Sequence, residues 1–198
     1  SQTKVLHSRA LVADMHAHPS LKIYMFNKKF HKRYWSGGAF NPFAMRVDLP
    51  KCIEGGLNLL FSSVYLPEKG LLKDCWILNL ASYVAPCKWR DMLKKNPFEQ
   101  TNKILDAFER AVARSKINGK EVAEIAYSLA DVHRILNAGK IVILHTLEGA
   151  HPLDGKIENL KKFYDRGVCS LTLAHFYENR VVFPTDGIPA NMKILCCF

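Results

Sequence analysis

Apolar positions along the chain gather into short runs closed by polar turns, and the spacing inside each run predicts its element. Residues 10–15 (ALVADM) form a brief apolar run ended by a polar cluster, which reads as a short buried strand. Asp48 stands just before Leu49-Pro50 and is followed by Gly55-Gly56, the pattern of a short helix capped at one end and stopped at the other. Residues 57–65 (LNLLFSSVY) are apolar on both faces, as in a fully buried strand, and 67–70 make a turn before a helix over 71–84. Asn96-Pro97 opens the clearest helix, with Ile104, Leu105, Phe108, Ala111 and Val112 on one face and Asn118-Gly119 as its expected end. A short strand over 122–127 follows. Ser128 and Asp131 then form a capping box for a helix through Asn137, with Gly139 as the stop. The run KIVILHTL at 140–147 is a strong β-branched strand, 157–165 is a helix ended by Gly167, and 168–174 is another strand.

Strands that alternate with helices across short loops predict βα units and a parallel sheet, hence an α/β fold. The chain has 198 residues, 48% of them hydrophobic and 23% charged, which suits one globular domain over 1–198. No apolar run approaches the roughly 20 residues needed to span a bilayer. The sequence holds neither G-x-x-x-x-G-K nor G-x-G-x-x-G, which moves nucleotide-dependent chemistry out of the leading classes.

The net charge of +10 is unevenly spread. Between Asp14 and Asp48 there is no acidic residue, while Lys22, Lys28, Lys29, Lys32, Arg33 and Arg46 fall there among Tyr24, Phe26, Phe30, Tyr34, Trp35, Phe40 and Phe43. Cations among aromatics suit single-stranded nucleic acid. They suit equally a long loop that packs its rings and leaves its amines in water, which is the expectation adopted. The six cysteines form no C-x-x-C pair, so a structural zinc signature is missing and a reducing, cytoplasmic compartment is favoured. An exported or membrane-anchored form stays open.

The chemistry-bearing residues stand where strands end. In Asp14-Met15-His16-Ala17-His18, period two places His16 and His18 on one side of an extended chain, where two imidazoles can meet one metal ion. Alone, H-x-H is equally two unrelated polar residues. Glu148 leaves the very apolar strand 140–147, and His175 leaves the strand 168–174. His145 lies within its strand and reads as a core or helix-facing residue, and His7, His31, His133 and His151 read as surface or loop residues. Three strands that deliver His or Glu at their C-terminal ends point to a barrel whose ends converge on one metal-dependent hydrolytic face.

Four blocks carry a resemblance: VADMHAH, VDLPKCIEGGLNLLFSSVY, GKIVILHTLEGAHPL and GVCSLTLAHFYEN. Together, from Leu11 to Asn179, they resemble the zinc-dependent membrane (renal) dipeptidases and their bacterial relatives, within the metal-dependent amidohydrolase superfamily. The resemblance implies a (β/α)8 TIM-type barrel, of which this chain carries roughly the N-terminal half to two-thirds, and two zinc ions in the complete site. It implies dipeptide hydrolysis by a zinc-activated water. His16 and His18 are then metal ligands, Glu148 is the catalytic carboxylate that bridges both metals, and His175 contacts the substrate near the scissile carbonyl. A small dipeptide is the implied partner, nucleic acid is not expected, and a homodimer stays open.

Two departures from the family pattern matter. Its first motif is usually H-x-D, and His18 stands where the Asp belongs. Its remaining metal ligands, and the acidic residue that handles the proton of the attacking water, lie beyond the matching region; a (β/α)8 barrel typically takes about 250 residues. The single barrel domain is therefore expected to be C-terminally incomplete. The alternatives are a superfamily deoxyribonuclease or phosphoesterase, whose first motif is H-x-H, and a catalytically dead relative that acts as a binding module.

Overall fold

Each apolar run predicted as a strand enters one parallel sheet. The computed structural model describes residues 2–36, 44–68, 70–71, 83, 85–94 and 96–185. Helix α1 (Gln2–Arg9) buries none of its residues. It leads into β1 (Ala13–Ala17), α2 (Pro19–Phe26), α3 (Leu49–Glu54) and β2 (Leu59–Tyr65). There follow α4 (Pro86–Lys94), α5 (Pro97–Ala113), the two-residue strands β3 (Lys116–Ile117) and β4 (Lys120–Glu121), and β5 (Ala123–Ile125). Helix α6 (Leu129–Asn137), β6 (Ile141–Glu148), a 3-10 turn (His151–Leu153), α7 (Ile157–Asp165) and β7 (Val168–Thr172) complete the described order.

Strands β1, β2, β6 and β7 pair in parallel in the order in which they occur in the chain. No reversal of winding interrupts that order, which is the arrangement of a singly wound βα barrel and not of a doubly wound sheet. Strand β2 runs beside β6 in unbroken register from Leu59↔Val142 to Tyr65↔Glu148. The other edge of β6 is divided: β5 takes its beginning at 141–143 and β7 takes 145–148.

The two faces of the sheet do different work. Leu60, Val64, Ile143 and Leu147 alternate onto one face and pack with Ile104, Leu105, Phe108 and Val112 of α5. Each fully buried aliphatic or aromatic side chain there contributes roughly 1.5–3 kcal/mol. On the opposite face, Val142 and Leu144 meet Val132, Ile135 and Leu136 of α6. That helix covers the beginning of β2 and β6, at the far end from Glu148.

Local signals place most boundaries. Asp48 is wholly buried and caps α3, accepting a hydrogen bond from the Lys51 amide at 3.1 Å, another from the Tyr34 amide at 3.0 Å, and pairing with the Lys51 ammonium at 2.9 Å. Asn96 caps α5 through the Phe98 amide at 2.8 Å, and Ser128 and Asp131 form the expected cap of α6. Two expectations change. Asn118-Gly119 does not end α5, which stops at Ala113; both residues take positive φ, 52° and 77°, and form the tight turn of the β3–β4 hairpin. The aromatic-basic stretch is not all loop. Its first part is α2, started by Pro19 and seated through Ile23 and Met25, and Phe30 is buried 5.4 Å from the Phe108 ring. Phe40, Phe43 and most of the helix expected over 71–84 lie outside the described residues. Among the described residues no helix is long and apolar enough to cross a membrane.

Arg166, in the turn between α7 and β7, ties that unit to α5. Its guanidinium reaches Asp106, Asn102 Oδ1 at 2.7 Å and Glu109 Oε1 at 3.1 Å, and the Glu109 carboxylate also stands 3.2 Å from the buried His145 Nε2. Burial alone would raise the Glu109 carboxyl, but His145 and Arg166 together hold it below the usual glutamate value of 4.5. A carboxyl depressed in the folded state adds stability above its unfolded pKa and loses it as pH falls through the folded one. Denaturation midpoints measured from pH 7 down to pH 3 are therefore expected to drop below about pH 4.3, and Glu109→Gln is expected to flatten that drop while lowering the midpoint at pH 7.

Candidate metal centre

The C-terminal ends of β1 and β6 lie on either side of the end of β2. Along β1 the register advances from Asp14↔Leu60 to Ala17↔Ser62, so β1 carries one extra residue against β2 just where His16 lies. Such a bulge re-aims side chains at the rim of a sheet. The Asp14 carboxylate accepts the His16 amide at 3.0 Å and steadies the bulge. His18 follows the strand and stands immediately before Pro19, whose fixed φ starts α2 at once.

These constraints bring three predicted residues together. His16 Nε2 lies 3.0 Å from Glu148 Oε1, and His18 Nε2 lies 3.4 Å from Glu148 Oε2. One ligand atom from each of His16, His18 and Glu148 falls within 4.8 Å of the others, and the two imidazole rings meet edge to face at 4.6 Å. Among the described residues this is the group whose donors could hold a metal ion. His18 shows why a cation fits. Its Nδ1–H donates to the Ser63 carbonyl at 3.0 Å, a group that can only accept. In the neutral ring Nε2 then presents a lone pair to a carboxylate, and two acceptors face one another until a cation comes between them. Burial pushes the His18 pKa down; Glu148 pulls it back up, while His16 and His175 push it further down.

His175 lies three residues past the end of β7 and not at the strand end, yet it reaches the same place, with Nε2 3.5 Å from Glu148 Oε1. His145 takes the expected core position against α5.

Three participants were not expected from the sequence. Glu68, placed in a turn, is 7% exposed, and its carboxylate accepts the Tyr65 hydroxyl at 2.7 Å and faces His175 Nδ1 at 3.4 Å. Burial would raise its carboxyl, but His175 and Tyr65 outweigh that and hold it below the ordinary range. Burial and the neighbouring Glu68 push the Tyr65 phenol up, so Tyr65 stays a donor. His151, read as a surface or loop residue, is half-buried, and its Nε2–H donates to the Leu66 carbonyl at 2.6 Å. Tyr65 carries the signal that marked Glu148, since it is the last residue of an apolar strand, whereas Glu68 lies three residues beyond it.

Gly149 lets these groups close on one another. It has φ of 87°, and a Cβ there would meet His151 Nδ1 at 2.7 Å. Gly149→Ala combines backbone strain with that clash. A loss of about 1–3 kcal/mol in urea unfolding is expected, together with a displaced His151 imidazole signal in NMR spectra.

The model that describes membrane dipeptidases, peptidase family M19, matches residues 1–182 of the chain. A probable dipeptidase from Pseudomonas aeruginosa superposes with a TM-score of 0.52 at 20% identity, covering 90% of this chain and 38% of that one. A metallopeptidase from Rhodobacter sphaeroides, liganded with a phosphinate mimic of the dipeptide L-Ala-D-Ala, superposes with a TM-score of 0.51 at 18% identity, covering 85% of this chain and 48% of that one. At such identities the likeness is one of fold, part of a TIM-type barrel. The chain spans less than half the length of either protein. A search of curated proteins gave no significant match.

Proposed function

The chain belongs to the membrane dipeptidase family, peptidase family M19, and from that premise we propose that it carries the strand-end ligand set of a zinc-dependent dipeptidase. The observation that carries this reading is the convergence of His16, His18 and Glu148 within 4.8 Å at the ends of β1 and β6. The set of two imidazoles and one carboxylate suits zinc, which accepts nitrogen and oxygen donors alike. When bound, zinc supplies Lewis acidity that polarises a carbonyl and makes water a nucleophile at neutral pH.

The chain's own residues then divide the task. His16, His18 and Glu148 would hold the metal, the two oxygens of Glu148 lying one toward each histidine. His175 faces Glu148 from the β7 side, where it meets the substrate carbonyl. The reaction adds water across a peptide bond and releases two amino acids. The dipeptide mimic held by the Rhodobacter sphaeroides metallopeptidase supports that substrate class.

Zinc titration of the chain, followed by dipeptide hydrolysis assays, tests the reading. His16→Ala and Glu148→Gln are each expected to weaken zinc binding by roughly 100-fold or more and to abolish hydrolysis. Near-normal turnover by either variant at full metal occupancy would show the ligand assignment to be wrong.

A further inference from the structure

Glu68 is a buried acid that the proposed mechanism does not use. A carboxylate in such a place is costly unless its oxygens are occupied. Every partner found for it belongs to the wall around His175. Oε2 accepts the Tyr65 hydroxyl at 2.7 Å. Oε1 accepts the backbone amide of Phe176, the residue after His175, at 3.3 Å, and faces His175 Nδ1 at 3.4 Å. The His175 Nδ1 atom is shielded from solvent and makes no well-aligned hydrogen bond, so the carboxylate 3.4 Å away is the acceptor it faces.

The ring of His175 is also held from its sides. The Phe176 ring lies 3.8 Å from it and the Tyr65 ring 4.8 Å, centroid to centroid. Two flanking rings limit tilt, but they do not distinguish one imidazole nitrogen from the other. A carboxylate does, because it takes an N–H and leaves the second nitrogen for the site.

We infer that Glu68 is a positioning residue: it takes the Nδ1–H of His175, fixing the ring rotation that turns Nε2 toward Glu148 and the substrate. This rests on the reading of His175 as the substrate-facing group. Tyr65 steadies the Glu68 carboxylate in turn, so a second layer built on the end of β2 aims a residue delivered from beyond β7.

Long-range 15N–1H spectra of the imidazoles, recorded on the 198-residue chain, test the orientation without any assay of activity. His175 is expected to carry a proton on Nδ1 in the wild type and in Glu68→Gln, whose amide oxygen still accepts, and to lose that preference in Glu68→Ala. A wild-type ring with a bare Nδ1 overturns the inference even if no variant folds. In dipeptide assays Glu68→Ala is expected to lower kcat by about 10- to 100-fold with little change in KM, the cost of losing an orienting partner, and Glu68→Gln is expected to restore most of it. Equal impairment of the two variants would mean that charge and not position is what Glu68 supplies, and would also overturn the proposal. A wild type without dipeptidase activity would defeat the functional reading, while the imidazole spectra would still decide the role of Glu68.

Discussion

The register of β2 against β6 is the constraint on which the rest of the arrangement depends. Seven consecutive parallel pairs, from Leu59↔Val142 to Tyr65↔Glu148, set the two longest strands of the sheet side by side. Because successive side chains point to opposite faces, a slip of one residue would carry Glu148 into the layer that now holds Leu147 against α5, and bring Leu147 out. The apolar side of both strands forbids that slip. Burial of Leu60, Val64, Ile143 and Leu147 under α5 is thus what fixes a carboxylate at the opposite face. The site is positioned by hydrophobic contacts on the other side of the sheet.

Around that fixed carboxylate, electrostatics decides the details. Two imidazoles and a carboxylate face one another at 3.0 and 3.4 Å, with the Ser63 carbonyl settling the proton on the far side of one ring. Opposite them, Glu68, Tyr65 and His175 form a set in which hydroxyl and amide donors satisfy a buried acid. The first arrangement calls for a cation, whereas in the second the Glu68 oxygens already have their donors. That contrast separates the groups that bind from those that hold.

Much of this was legible in the sequence because the signals were local. Helix α7 and the capped starts of α3, α5 and α6 follow from Asp48, Asn96, Ser128 and the periodicity behind them. The convergence of His16, His18 and Glu148 followed from one rule about parallel strands. Helix α2 was less legible, since Lys22 within it and Lys28 and Lys29 after it hide the buried positions Ile23 and Met25 inside a strongly basic stretch. Asn118-Gly119 reads as a helix stop, because the hairpin it forms depends on Lys116–Ile117 finding Lys120–Glu121 as a partner, which is a tertiary fact. Glu68 was illegible as a functional residue because its importance lies in Tyr65 and Phe176, the latter 108 positions away. His151 was obscured in the same manner, its partner Leu66 lying 85 residues earlier.

The placement of α6 sets up a gradient of polarity along the sheet. In packing on Val142 and Leu144 it lies on the same face of the sheet as Glu148, at the opposite end of the strands. It works as a floor. Its side chains set an apolar base against the beginning of β6, while the ionisable groups gather at the other end of the strands, so polarity along the sheet rises in one direction.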